Sequence, residues 1–186
     1  MEIIVVVVVV IVAALAGFIA MRPSEFRIAR SRQLSAPAAV VHTHVDDFHK
    51  WPEWSPWERI DPAMKREVSG TPVGTGATYY WSGNNKAGEG RMTITDSRPP
   101  HSVTIRLEFL RPWKATNEIQ FDLVPNGSGT DVIWAMSGHN NFMPKAMGLV
   151  MNMEKLVGPD FEKGLAELDT VTAAAPQASA AATPTS

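Results

Sequence analysis

From Ala77 to Ser137 the chain alternates apolar and polar residues with period two. In SVTIRLEFL, Val103, Ile105, Leu107 and Phe109 fall on one side, and Thr104, Arg106 and Glu108 on the other. In ATNEIQFDLV, Ile119, Phe121 and Leu123 alternate with Glu118, Gln120 and Asp122 in the same way. This pattern predicts strands with one covered face and one wet face. GATYYWSG, RMTITDS and TDVIWAMSG extend the series, and FRIARSRQL (26–34) supplies an earlier strand. The connectors NNKAGEG, RPPH, RPWK and PNGSG are rich in turn residues, so the later strands form an antiparallel sheet of hairpins.

Two segments switch to helical spacing. In PAAVVHTHVDDFHKW, Val41, Val45 and Phe48 predict a short amphipathic helix opened by Pro37. His42, Asp46 and His49 then fall on the opposite, solvent-facing side, where a wet polar face outweighs a metal site. From about Pro144 to Leu168, Met147, Met151, Leu156, Phe161, Leu165 and Leu168 recur at helical spacing. This helix covers the sheet, and Gly158-Pro159 should kink it or split it. The fold class is α+β, with a curved antiparallel sheet around a long C-terminal helix and a cavity between them.

DDFHKWPEWSPWE (46–58) places Trp51, Trp54 and Trp57 among two prolines. Pro52 biases Trp51 toward extended backbone, and Pro56 does the same to Ser55, which predicts an aromatic turn rather than a helix. Trp51 closes the Val41-Val45-Phe48 face. Trp54 and Trp57 have two roles open to them, a rim over the cavity mouth or plugs for the end of the sheet. A position at a bilayer interface is a third.

The ends of the chain differ from this middle. Residues 3–21, IIVVVVVVIVAALAGFIAM, contain no charge and no proline, and at about 1.5 Å per residue reach about 28 Å as a helix. This predicts a transmembrane anchor over 1–23. A cleaved signal peptide ending at Ala14-Leu15-Ala16 is the rival, weakened by the lack of any Lys or Arg before the run. Arg22, Arg27, Arg30 and Arg32 follow the run, which places the domain on the cytoplasmic side, with the extracytoplasmic side as the alternative. The tail 171–186 is dominated by Ala, Pro, Ser and Thr and predicts disorder. Residues 24–170 remain as the folded domain. A net charge of −2 without a basic cluster argues against nucleic acid, and the absence of cysteine selects no compartment.

Five stretches, taken together, resemble a known superfamily: Trp51-Pro52-Glu53-Trp54-Ser55-Pro56-Trp57, Gly88-Glu89-Gly90-Arg91-Met92, Leu110-Arg111-Pro112, Gly129-Thr130-Asp131-Val132-Ile133-Trp134 and Phe161-Glu162-Lys163-Gly164-Leu165. In this order they resemble the START/Bet v 1-like (SRPBCC) superfamily, in its polyketide cyclase/dehydrase-like branch. The resemblance implies a helix-grip fold with a hydrophobic cavity between sheet and final helix. Relatives in the superfamily include lipid carriers, hormone-binding proteins and aromatase/cyclases, so fold does not fix activity.

No nucleophile-and-base pattern, metal signature or phosphate-cradling loop occurs in the sequence. Tyr79 is a polar candidate on the inward side, joined by Arg106 or Glu108 if the strand register is reversed. The expected function is therefore binding or carriage of a hydrophobic small molecule or lipid at the membrane, without turnover or cofactor. Its lining residues are Trp54, Trp57, Trp81, Leu107, Phe109, Phe121, Trp134, Met136, Met147 and Met151. The alternatives are a polyketide cyclase/dehydrase-like enzyme and a structural or interaction domain with a filled core.

Overall fold

The computed structural model describes residues 1–21, 24–139 and 153–175. Helix α1 spans Glu2–Met21 and strand β1 spans Glu25–Leu34. Helix α2 (Ala38–Val45), a 3-10 turn (Phe48–Lys50), the single turn α3 (Trp51–Trp54) and a second 3-10 turn (Pro56–Arg59) follow. Strands β2 (Lys65–Gly70), β3 (Ala77–Ser82), β4 (Glu89–Arg98), β5 (Ser102–Arg111), β6 (Ala115–Asn126) and β7 (Gly129–His139) come next, and α4 (Met153–Ala174) closes the chain. The seven strands form one antiparallel sheet in the order β1-β7-β6-β5-β4-β3-β2. The first strand thus closes onto the last, and α2, α3 and α4 pack on the inner face.

The alternation sets the faces as expected. Val103, Ile105, Ile119, Phe121, Val132 and Trp134 are buried together with Phe161, Leu165 and Leu168 of α4. Glycine makes the close approach of α4 possible. A Cβ on Gly164 would sit 2.7 Å from Cζ3 of Trp134 and 3.2 Å from Cδ of Pro56.

Several expectations need correction. Strand β2 was not visible in the sequence, because KREVSG carries only Val68 as a large apolar residue. Trp51 is helical (φ −59°, ψ −34°), not extended. Pro52 sits in the first turn of α3, where its missing N–H costs nothing. Ser55 is extended, as expected of a residue before proline. His42, His44 and Asp46 are buried rather than solvated, because the 71–76 loop and the β4–β5 turn cover the second side of α2. Leu156 is exposed instead of covering the sheet.

Helix α4 is not split at Gly158-Pro159. Arg30 of β1 spans that step, with Nη1 2.5 Å from Glu154 and Nε 2.6 Å from Glu162. Its guanidinium occupies the space a Cβ on Gly158 would need. The helix runs to Ala174 with Thr172 buried, past the expected end of the domain at 170.

In α1 the described side chains are largely exposed and apolar, from Ile3 through Val7 and again at Val10, Ile11 and Phe18. Among the described residues no helix is long and apolar enough to cross a membrane. The side chains of Glu2, Val8, Val9, Val12, Ala13, Leu15, Ile19 and Ala20 lie outside that description.

Candidate functional site

The inner face of the sheet has two unlike ends. At the end near the β4–β5 turn, rings fill the space. Trp134 stacks on Phe161 at 4.4 Å and 6°, and meets Trp54, Trp57 and Phe121 at 5.5, 5.4 and 4.8 Å. Trp51 joins through Trp54 at 4.9 Å and Phe48 at 5.3 Å. The indole N–H of Trp51 donates to the Val45 carbonyl at 3.0 Å, and that of Trp54 to the His44 carbonyl at 3.3 Å. Each ring buries about 150–250 Å², so this cluster is a major share of the core.

At the opposite end, where β1 begins and β5 turns into β6, the inner face is a thinner apolar wall. Cross-strand register brings together Phe26, Met136, Ile119, Leu107, Phe109 and Met92. Trp81 completes it, T-shaped to Phe109 at 6.0 Å with its indole N–H on the Ala87 carbonyl at 3.0 Å. Trp81, Met92, Leu107 and Met136 keep 6–8% exposure, whereas Phe121, Trp134, Ile94 and Ile105 keep none. Gly90 allows this packing, since a Cβ there would lie 2.3 Å from Cη2 of Trp81. Asn117 brings a neutral amide into the wall. Its Nδ2 lies 3.9 Å from Sδ of Met136, and its Oδ1 fills the space beside Gly138.

The residues expected to line one cavity therefore divide. Trp81, Leu107, Phe109 and Met136 belong to the apolar wall. Trp54, Phe121 and Trp134 are locked in the aromatic cluster, with Trp57 half-buried on its rim. Met147 and Met151 lie outside the described residues. Sequence reasoning missed Phe26 and Asn117. Phe26 carried a signal as the first apolar residue of the β1 alternation. Asn117 carried none, because nothing local marks a single amide as inward-facing.

Tyr79 heads a buried polar set at the β2–β3 edge. Its hydroxyl donates to Oε1 of Glu58 at 2.5 Å, while Nε of Arg66 lies 2.5 Å from Oε2. Burial, reinforced by Glu58, pushes the Tyr79 phenol far above its usual range. The phenol is thus held neutral with its proton committed to Glu58. Arg106 and Glu108 point to the outer face, as the unreversed register requires.

His42 lies beside α2 with Nε2 3.4 Å from Oγ of Ser97, and burial lowers its pKa against the opposing pull of Asp46. His49 is exposed and pairs with Asp47 at 2.9 Å, so the three polar residues of this segment do not converge. Among the described residues no group of three His, Cys, Asp or Glu is placed to hold a metal. A shallow depression of about 720 Å³ lies on the other side of the sheet, over Arg27, Arg106, Glu118 and Ser137. It is open, and its lining mixes these charged and polar groups with apolar surface, Phe26 included.

No curated protein sequence matches the chain. Solved structures share the fold. Protein CV1439 from Chromobacterium violaceum is 14% identical with a TM-score of 0.58, over 78% of this chain and 96% of that one. Ara h 8.0201 is 10% identical with a TM-score of 0.56, over 81% and 99%. CalU16 from Micromonospora echinospora is 18% identical with a TM-score of 0.53, over 82% and 77%. Residues 25–173, β1 through nearly all of α4, match the family described as polyketide cyclase / dehydrase and lipid transport, and the chain belongs to that family.

Proposed function

We propose that this protein binds a hydrophobic small molecule or lipid against the apolar wall, and carries it without chemical turnover. The observation behind this reading is the contrast between the two ends of the inner face. One end is filled by rings, whereas the other offers Phe26, Trp81, Met92, Leu107, Phe109 and Met136 with the amide of Asn117 among them. Binding at such a wall draws on buried apolar area, with the amide setting orientation. The two methionines adapt to varied ligand shapes.

The reading includes a membrane tether. Its support is the sequence of residues 3–21, nineteen apolar residues without a charge or a proline. The domain then sits on the cytoplasmic side, where the arginines after the span fall. A cyclase-like enzyme is the second reading. The buried Tyr79-Glu58-Arg66 set favours it, although the phenol that would polarise a carbonyl already donates to Glu58.

Native mass spectrometry of the chain tests the carrier reading. The expected result is an extra mass that leaves on organic extraction and falls in occupancy in a Met136→Trp variant. A clean apoprotein mass, unchanged after incubation with mixed lipids and aromatic compounds, would exclude carriage.

A further inference from the structure

We propose that the β5–β6 turn, residues Leu110–Lys114, docks on the surface of the bilayer that holds α1 and seats Trp113 at the headgroup level. The proposal rests on the reading of α1 as a membrane span. Trp113 is 62% exposed and Leu110 beside it 37% exposed. One exposed apolar residue is ordinary, so their position has to carry the argument.

Position follows from register. Phe26 and Asn117 are both partnered with Gly138, so they stand at one level of the sheet. At about 3.3 Å per residue the chain reaches about 13 Å from Asn117 back to Trp113, and at most about 16 Å from Phe26 back to Met21. Strands β1 and β6 are separated only by β7, which puts them about 10 Å apart. Trp113 therefore stands at the same end of the sheet as the start of β1, the strand that follows α1 in the chain. A bilayer containing α1 would face this end of the sheet, where Trp113 is an exposed ring.

The turn is braced rather than loose. Arg111 donates from Nη2 to the Gly83 carbonyl at 2.8 Å and lies 3.8 Å from Glu89. A Cβ on Gly88 would lie 2.7 Å from the Arg111 carbonyl oxygen, so the β3–β4 turn packs directly on this one. Lys86 and Lys114 lie in the two turns at this edge, and their positive charge complements an anionic leaflet. An indole flanked by basic residues suits the interface, where the ring meets acyl chains and its N–H meets water.

The chain has no cysteine, so single labels are clean. The full chain is reconstituted in vesicles of zwitterionic and anionic phospholipid, with an environment-sensitive fluorophore on Lys114→Cys, Val10→Cys or Val124→Cys. Val124 is exposed at the far end of the sheet. The expected result is quenching of the Lys114→Cys label by lipids spin-labelled near the headgroup, reduced several-fold when Trp113→Ala is added. The Val10→Cys label is quenched by lipids labelled deep in the acyl chain, and the Val124→Cys label by neither. A Lys114→Cys label as unquenched as Val124→Cys, with Val10→Cys quenched, overturns the docking turn and leaves the tether standing. An unquenched Val10→Cys label overturns both.

Discussion

Replacing Gly164 with alanine tests how tightly α4 grips the sheet. In an exposed helix interior, Gly→Ala stabilises by about 1 kcal/mol. Here the new methyl would lie 2.7 Å from Cζ3 of Trp134, a ring that cannot swing away. Phe161 stacks on one face, and Trp54, Trp57 and Phe121 surround it. Forcing an extra carbon into such a core costs about 1–3 kcal/mol, which outweighs the propensity gain. The expected net loss is about 1 kcal/mol, or roughly 2–4 °C in Tm for a chain of this size. Trp134→Phe removes the ring atoms that oppose the methyl, and also removes a buried indole N–H that has no partner among the described residues. In the double variant, Gly164→Ala should therefore become neutral or stabilising, a coupling of about 1 kcal/mol or more. Urea denaturation followed by tryptophan fluorescence measures all four corners of the cycle. A stabilising Gly164→Ala in the native background, or additivity within about 0.5 kcal/mol, would refute this account of the grip.

Two further predictions concern buried titratable groups. Tyr79→Phe leaves Oε1 of Glu58 without its donor and should cost about 1–3 kcal/mol at neutral pH, measured by denaturation. Because the folded phenol is raised, native Tyr79 contributes stability that is lost as pH climbs above about 10, so the gap between the two proteins should narrow there. For His42 the sign reverses. Its folded pKa is lowered, so the unfolded chain takes up the proton first and stability falls as pH drops below about 6.5. Thermal melts across that range should show a shallower decline in His42→Asn.

Much of the sheet was legible because β3 to β7 each have one covered face, and alternation reports that condition directly. Strand β2 escaped because its inward positions are Arg66, Val68 and Gly70, and edge position with a polar partner replaces apolar burial there. Helix α2 misled for the opposite reason. It is covered on two sides, and a helical stripe read from sequence assumes only one. His42 and Asp46 looked wet because nothing local announces that the β4–β5 turn and the 71–76 loop fold over them. At Trp51 a local bias against helix before proline was outweighed by tertiary packing, with the indole fixed on the Val45 carbonyl. The candidate site was half legible. Alternation identified the inward apolar residues, but whether each faces a ring or a ligand depends on which distant element covers it. Trp134 and Met136 are two residues apart on one strand, yet one is stacked under Phe161 and the other belongs to the apolar wall beside Asn117.

That separation along a single strand also bears on how ligand would enter. The apolar wall and the turn that carries Trp113 share β5 and β6, and Phe109 of the wall is adjacent to Leu110 of the turn. A ligand leaving a bilayer beside α1 would reach Phe26, Phe109 and Met136 without passing the aromatic cluster, which blocks the other end. Entry from that other end would require Trp134, Trp54 and Phe121 to move together against their mutual packing. On the proposed tether, a wall at the membrane-proximal end would spare that reorganisation. It also explains why the rings can serve as a permanent plug, because nothing has to pass them. Trp57, half-buried on the rim of that plug, is then a structural residue, and Trp57→Ala should lower stability while leaving ligand occupancy in native mass spectra unchanged. Loss of ligand from a Trp57→Ala protein that remains folded would place the entrance at the wrong end.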